Sequence, residues 1–467
     1  MSKETDVALI SPPAKWMHKD IPYPPLALAY LSAVGNEAGI STAIYDAQFD
    51  EFSEKLGDLA HDRPQLVGVS ATLMQLSDAS QIAEYIKNKN PQAIIVFGGP
   101  GPNCIPTEDF FTTYGKDVDL VCRGEGELTW LDLITKFKGS ENFSGELRRP
   151  AYLFQGVSGT VVKDGVDIIE NEPRPLIYDL DSLPMPDLRG IEAQRYIETW
   201  RRNSGVGSIS IFPSRGCPYS CVFCDKTIFG HRFRHHSPAR IADEMEQIKS
   251  EFGPVDDIFL FDDNLSTKRQ IMVDLCDEIK RRDLHVNWSC QARANTVDSE
   301  LLGAMYEAGC KEIYFGVEAA TLKLLEYLGK KITPEQAVDA IQMSREVGMK
   351  TGCFLIVGIP GETEDDITAI EQFITKAQPA YVGFSVLTPF PGTELYTRTR
   401  SLIKPSLLNR YDLWDDTRSS VYEDGVFVVN PATSIKRLEA HFKQMLADSG
   451  VVHNSSQFVI NRYEEKS

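Results

Sequence analysis

Short apolar runs, each stopped by glycine, proline or polar residues and most followed by a helix-length stretch, recur along this chain and restrict it to α/β architectures. In the first block Val7-Ala8-Leu9-Ile10 ends at Ser11-Pro12-Pro13, and Thr42–Asp46 and Leu66–Ser70 follow. Ala93–Phe97 then ends at Gly98-Gly99-Pro100-Gly101-Pro102, and Leu120–Cys122 precedes Gly124-Glu125-Gly126-Glu127. A helix is predicted after Pro25, whose ring presets the first turn and which Leu28, Leu31 and Val34 follow at helical spacing. Further helices are predicted over Ser77–Lys89 and after Glu127. Apolar strands alternating with helices predict a doubly wound parallel sheet over residues 1–140, with any ligand at the carboxyl ends of the strands. There Gly98-Gly99-Pro100-Gly101 reads either as a surface for close approach of a bulky planar group or as turn chemistry.

Residues 141–205 read as a hairpin, with Pro150–Phe154 and Gly159–Val162 as its strands, followed by an extended, proline-rich linker around Leu183-Pro184-Met185-Pro186. Over residues 206–400 the strands resume at βα spacing. They are Ile209–Phe212, Asp257–Phe261, Val286–Cys290, Glu312–Val317, Thr351–Val357 and Tyr381–Leu387. Helices are predicted at Ser237–Glu251, Lys268–Arg282, Ser299–Ala308 and Thr333–Val347, the last opening on a Thr333-x-x-Gln336 capping box. This pattern predicts a partial (β/α)6 barrel with its site at the carboxyl-end rim. Residues 401–467 read as a short, mostly helical tail, with Leu438, Phe442 and Leu446 on one face of a helix over Ser434–Asp448. Its aromatic residues either close the barrel mouth or cover apolar surface.

Cys217, Cys221 and Cys224 follow the first barrel strand directly. Thiolates crowded into one loop suit zinc or an iron–sulfur cluster. A structural zinc ion takes four protein ligands and this loop supplies three, which favours a cluster with one iron left open. The other strand ends supply partners for a ligand. Asp262, Asp263 and Asn264 suit an ammonium, Arg293 a carboxylate, and Glu318 a ribose hydroxyl pair. Gly358 and Gly361 permit close backbone approach. An amino acid joined to a nucleoside, such as S-adenosylmethionine (SAM), needs this inventory. Each residue alone has a plainer reading as turn former, helix cap or ion-pair partner; their joint occurrence at successive strand ends carries the inference. Tyr219, inside the loop, is either a proton donor to a substrate or a packing residue.

The net charge of −19 argues against nucleic acid as the main partner. No apolar run reaches the length of a membrane span, and the start, Met1–Asp6, lacks a signal-peptide core. Nine cysteines without a disulfide-like framework fit a reducing cytoplasm.

The motif Cys217-x-x-x-Cys221-x-x-Cys224, with Phe223 before its last cysteine, resembles the signature of the radical SAM superfamily. Asp225–Gly230, Asp262-Asp263-Asn264, Gly316-Val317-Glu318, Gly358–Glu362 and Thr388–Thr393 resemble its cobalamin-domain branch. The N-terminal block resembles that branch's cobalamin-binding domain at Ser11-Pro12-Pro13, Pro24–Ala27, Ser70-Ala71-Thr72, Gly98-Gly99-Pro100 and Gly124–Glu127. No Asp-x-His-x-x-Gly stretch is present, and Gly101 stands where the family commonly has a histidine. The resemblance implies a [4Fe–4S] cluster on Cys217, Cys221 and Cys224 whose open iron chelates SAM. Phe223, Asp262, Asp263, Asn264, Arg293, Glu318, Gly358 and Thr388 would line the SAM site, and Ser70, Thr72, Gly98, Gly99 and Glu125 the cobalamin site. Cleavage of SAM would give a 5′-deoxyadenosyl radical that abstracts hydrogen from an unactivated carbon. The leading expectation is cobalamin-dependent C-methylation of a small molecule in secondary metabolism, with flavodoxin or ferredoxin as electron donor. The alternative is a dehydratase, cyclase or rearrangement enzyme without methyl transfer; a third is a scaffold or sensor that binds SAM without turnover.

Overall fold

The computed structural model describes residues 7–14, 22–49, 57, 59, 61–140, 149–408, 410–414, 421–423, 426 and 429–448. The predicted start at Met1–Asp6, most of the loop at 139–145 and the tail beyond Asp448 lie outside them. The chain forms two compact units. The first takes in the chain up to Tyr196 with Asp225–Gly230 and Leu407–Trp414, and the second holds the rest.

The first unit is built on one sheet of β1 (Val7–Ser11), β2 (Ala43–Asp46), β3 (Leu66–Ser70), β4 (Ile94–Gly98), β5 (Leu120–Cys122), β6 (Thr160–Asp164) and β7 (Asp167–Glu170), in the order β2-β1-β3-β4-β5-β6-β7. The first five strands are parallel, and β6 and β7 extend the sheet antiparallel. Strand order reverses between β1 and β3, which makes their carboxyl ends the crevice of a doubly wound fold. The strands are apolar because both faces are covered: every residue of β1 is buried. Gly68 admits Trp130 against β3, since a Cβ there would lie 3.0 Å from the indole.

The hairpin differs from expectation. Pro150–Leu153 is a helical turn, because Pro150 sits at its first position and leaves no donor unsatisfied there. The antiparallel pair is β6–β7, joined by the two-residue loop Gly165-Val166, whose first position takes φ +64° and so suits glycine. The proline-rich segment after it is followed by a helix, Ala193–Ser204, that the linker reading did not include. Tyr196 of that helix is buried and donates a hydrogen bond to Asp46 at the end of β2.

In the second unit β8 (Ser208–Ile211), β11 (Asp257–Leu260), β12 (Trp288–Ala292), β13 (Cys310–Glu318), β14 (Lys350–Val357) and β15 (Tyr381–Val386) form one parallel sheet in sequential order. A separate two-stranded ladder, β9 (Ser214–Arg215) with β10 (Arg234–His235), flanks the cysteine loop. The partial barrel is as expected, with β12 two residues further along than the sequence predicts. The helix Glu364–Ala377, after β14, adds a capping box at Thr363 and Asp366. On one face of the sheet Ile258, Trp288, Ile313, Cys353 and Val382 are at most 1% exposed. The opposite face presents Asp257, Phe259, Tyr314 and Phe354 to the barrel interior. Tyr314 stacks on Phe354 and on Tyr381, and Gly352 and Gly383 leave room for these rings.

The tail helix Pro431–Asp448 buries Ile435, Leu438 and Phe442. Arg437 pairs with Glu364 and Glu371 at 3.0 and 2.7 Å, so the helix lies against Glu364–Ala377 and covers barrel surface.

Asp257 enters the barrel interior, where its Oδ2 accepts from Ser208 (3.0 Å) and Ser289 (2.8 Å). Burial pushes its carboxyl up to about 7. A raised carboxyl favours the protonated form in the fold, so its stabilisation is present at acid pH and is lost as pH rises through about 4 to 7. Melts of the apo-protein should therefore show a loss of about 1 kcal/mol or more between about pH 5 and pH 8. Asp257→Asn should make that slope shallower without removing it, since burial also pushes Asp262 and Glu362 up to about 7; an unchanged slope would remove Asp257 as a contributor.

Candidate active site

The cysteine loop is fixed from outside itself. Val222 N donates to Leu328 O (3.0 Å), and Leu395 N donates to Val222 O (2.8 Å). Cys217, Cys221 and Cys224 are half-exposed, whereas the chain's other cysteines are buried. Burial pushes the thiols of Cys104, Cys122 and Cys276 up to about 12, which leaves them inert. Cys221 moves the other way, to about 6. The largest cause is a hydrogen bond from Cys224; the positive charges of Lys330 and Arg293 add to it, against burial.

Arg293, only 4% exposed, is the hinge between the loop and the strand ends. Its Nη1 lies 3.9 Å from Cys221 Sγ, and its guanidinium sits 4.1 Å over the Tyr219 ring. Its Nε donates to Asn295 Oδ1 at 3.0 Å. The Arg293 carbonyl accepts from Thr296 Oγ1 (2.7 Å), and Ser266 Oγ lies 2.6 Å from both Thr296 Oγ1 and Asn264 Oδ1, with its single proton for one of the two. The ends of β11 and β12 are thus locked together. Asp262 accepts from Ser214 through Oδ2, and burial pushes its carboxyl up to about 7. Asp263 is exposed.

Glu318, at the end of β13, has a left-handed φ of +70°, a costly conformation for a non-glycine residue. Its Oε1 pairs with Lys330 Nζ at 2.9 Å. Thr388, at the end of β15, turns its hydroxyl back to Val386 O (3.1 Å). Gly358 has φ +75° and packs against Pro431, while its N–H donates to Glu362 (2.8 Å). Phe223 is half-buried in the loop. Cys221, Tyr219, Arg293 and Glu318 are therefore gathered by direct contacts or shared partners, and Gly358 serves the tail helix. Lys330, Asn295 and Ser266 escape sequence reasoning because they carry no motif; only the fold brings them to the loop.

The donor set fits the groups in question. Arg293 Nη2 and Asp262 Oδ1 are enclosed without a hydrogen-bond partner among the described residues, one suited to an anionic and the other to a cationic ligand group. Three accessible thiols, one held acidic, suit iron.

In the first unit Thr72 N donates to Gln75 Oε1 (2.8 Å), and Gln75 Nε2 donates to Pro12 O (2.6 Å), joining the ends of β1 and β3. Asn103 ties β4 to β5: its Nδ2 donates to Gly99 O (2.8 Å) and Cys122 O (3.2 Å), and its Oδ1 accepts from Gly124 N (2.7 Å). Gly99 (φ +87°) approaches so closely that a Cβ would lie 2.9 Å from Ser70 Oγ and Ala71 O. Gly98 lies at the end of β4. Gly101 is likewise a packing glycine, since a Cβ would lie 2.6 Å from Thr72 O, which explains why no histidine stands there. Glu125 is buried and accepts from Ile177 N (2.8 Å). Gly99 and Gly101 thus let the loop after β4 pack tightly on the Ser70-Ala71-Thr72 loop at the carboxyl end of β3.

The family model of the radical SAM superfamily matches residues 211–374, and that of the B12 binding domain matches residues 21–134. An uncharacterized methyltransferase of Pyrococcus horikoshii is 32% identical over 401 residues, which cover 84% of this chain and 83% of the relative. The chain belongs to the radical SAM superfamily. This radical SAM enzyme carries a B12-binding domain, and its cofactors are a [4Fe–4S] cluster, SAM and cobalamin. It is also 29% identical over 400 residues to the anaerobic magnesium-protoporphyrin IX monomethyl ester cyclase of Cereibacter sphaeroides, covering 84% of this chain and 62% of that one. Its fold matches the solved structure of the radical SAM methyltransferase TsrM from Kitasatospora setae with cobalamin and [4Fe–4S] cluster bound. The TM-score is 0.68 at 20% identity, over 84% of this chain and 77% of that one. Among the described residues no helix is long and apolar enough to cross a membrane.

Proposed function

We propose that this radical SAM enzyme methylates an unactivated carbon of a small molecule in secondary metabolism, in the cytoplasm, with a flavodoxin or ferredoxin as electron donor. When bound, the cluster and SAM supply a 5′-deoxyadenosyl radical that removes hydrogen from carbon, and cobalamin supplies the methyl carrier. Cys217, Cys221 and Cys224 would hold the cluster. Arg293 would bind the SAM carboxylate, Asp262 and Asn264 its ammonium, and Glu318 its ribose hydroxyls, with Phe223, Asp263, Gly358 and Thr388 at the margins. Tyr219 would serve as the shelf that orients Arg293 rather than as a proton donor. Ser70, Thr72, Gly98, Gly99 and Glu125 would receive cobalamin. The observation that carries the reading is Arg293, buried between the Cys221 thiol and an empty hydrogen-bonding direction of its own guanidinium. The methyltransferase relative and the B12-domain match support methyl transfer.

A second reading follows from the cyclase relative: the same radical chemistry directed to ring closure or elimination without methyl transfer. Incubation of the reduced holoenzyme with SAM separates the two. Cobalamin-dependent S-adenosylhomocysteine is expected; 5′-deoxyadenosine without it would favour the second reading.

Gly99→Val should weaken cobalamin binding at least about tenfold, because a Cβ there would lie 2.9 Å from Ser70 Oγ and Ala71 O, displacing that loop, and a side chain strains a left-handed backbone. Absorbance titration with hydroxocobalamin reads this, and unchanged affinity would move the cobalamin site elsewhere.

A further inference from the structure

The turn that follows the helix Leu322–Tyr327 touches both halves of the candidate site. Its Leu328 carbonyl accepts from Val222 N at 3.0 Å. Gly329, with φ +68°, presses so close that a Cβ would lie 2.7 Å from Ser220 O and 3.7 Å from Cys221 Cα. The next residue, Lys330, is held by its backbone to Leu325 O (2.9 Å) and reaches Glu318 with its ammonium. Both partners of that ion pair are nearly closed to water, at 9% and 11% side-chain exposure. Gly316 leaves the space they fill: a Cβ would lie 2.6 Å from Glu318 Oε1 and 2.8 Å from Lys330 Nζ.

A buried ion pair of this kind adds little net stability over an apolar pair, and the left-handed Glu318 backbone costs more. The pair sits where the ladder between β13 and β14 shifts register, between Gly316 and Glu318, so the strand end itself is bent to present the carboxylate. One Glu318 oxygen is engaged by Lys330, which fixes the direction of the other. The turn that carries Lys330 packs on Ser220 and Cys221 through Gly329, and the Lys330 charge acts on the Cys221 thiol.

We propose that Lys330 is a positioning residue of the SAM site, holding Glu318 for the ribose hydroxyls and placing a second buried positive charge beside Cys221. This rests on the assignment of Cys221 to the cluster and of Glu318 to the ribose. A cluster on three thiolates becomes more negative on reduction, and a cation in a low-dielectric setting favours that reduced form.

The test is Lys330→Gln in the reconstituted enzyme, which keeps a hydrogen-bond donor for Glu318 and removes the charge. Iron content should match wild type. The cluster midpoint, read by spectroscopically monitored redox titration, should move to more negative values, and SAM affinity by equilibrium dialysis should fall about tenfold. Lys330→Arg should restore the midpoint. If Lys330→Gln holds iron and leaves either the midpoint or the affinity at the wild-type value, the proposal is wrong. Should Lys330→Gln take up no iron, Lys330→Arg decides alone: it must hold iron at the wild-type midpoint, and a shifted midpoint overturns the proposal. Failure of the underlying assignment looks different: wild type itself would then hold no cluster or bind no SAM.

Discussion

Cys221→Ala is expected to abolish cluster absorbance and all SAM cleavage while leaving the fold intact. Cys221 lies 3.9 Å from Arg293 Nη1, and Cys224, Lys330 and Arg293 make its thiol acidic, so it is readily ionised for metal binding. Its backbone is set by Val222, which is pinned on both sides by Leu328 and Leu395, so alanine there changes the donor set and not the loop path. Two remaining thiols do not retain a four-iron cluster. Cys353→Ala is the control: that thiol is buried in β14, 1% exposed, and its loss should leave iron content unchanged. Iron analysis and visible absorbance after anaerobic reconstitution measure both, and retained cleavage in Cys221→Ala would refute the cluster assignment.

Arg293→Ala should lower SAM affinity about a hundredfold with iron content unchanged, as expected for loss of a buried, charge-assisted carboxylate pair. The guanidinium is held on three sides, by the Tyr219 ring, Asn295 and the Cys221 thiol, which leaves its Nη2 for a ligand. Arg293→Lys should recover little, because an ammonium reproduces neither the fork nor the stacking. Equilibrium dialysis with SAM on reconstituted protein decides it; unchanged affinity would take Arg293 out of the site.

What was legible in the sequence was what local physics writes there. Apolar runs ending in polar loops located both sheets: β1 is buried on both faces, and the barrel strands stay apolar although β11 alternates between a buried face and the barrel interior. Thr333 and Gln336 marked a helix start because the capping box is a local device. Local signals also misled. Pro150 broke a strand-like run into a helical turn, and the hairpin lies further on, where β6 and β7 turn through Gly165 and Val166. The helix Glu364–Ala377 went unread, although Thr363 and Asp366 form a capping box and acidic residues fill its first turn. Within the site, residues at strand ends could be nominated, but their partners could not. Arg293 and Cys221 are 72 residues apart, and Lys330 has no signature beyond being a lysine after a glycine. Only the register of β13 against β14 and the turn at Leu328–Gly329 bring that ammonium to the loop.

The central claim is that the loop at Cys217, Cys221 and Cys224, with Arg293 and Glu318, forms a site for reductive cleavage of SAM. The most direct measurement is mass spectrometry of SAM products from anaerobically reconstituted, reduced enzyme, with and without cobalamin. The account predicts 5′-deoxyadenosine from the wild-type protein and none from Cys221→Ala, with S-adenosylhomocysteine appearing only when cobalamin is present. Reduced wild-type protein that holds iron and SAM yet releases no 5′-deoxyadenosine would contradict it.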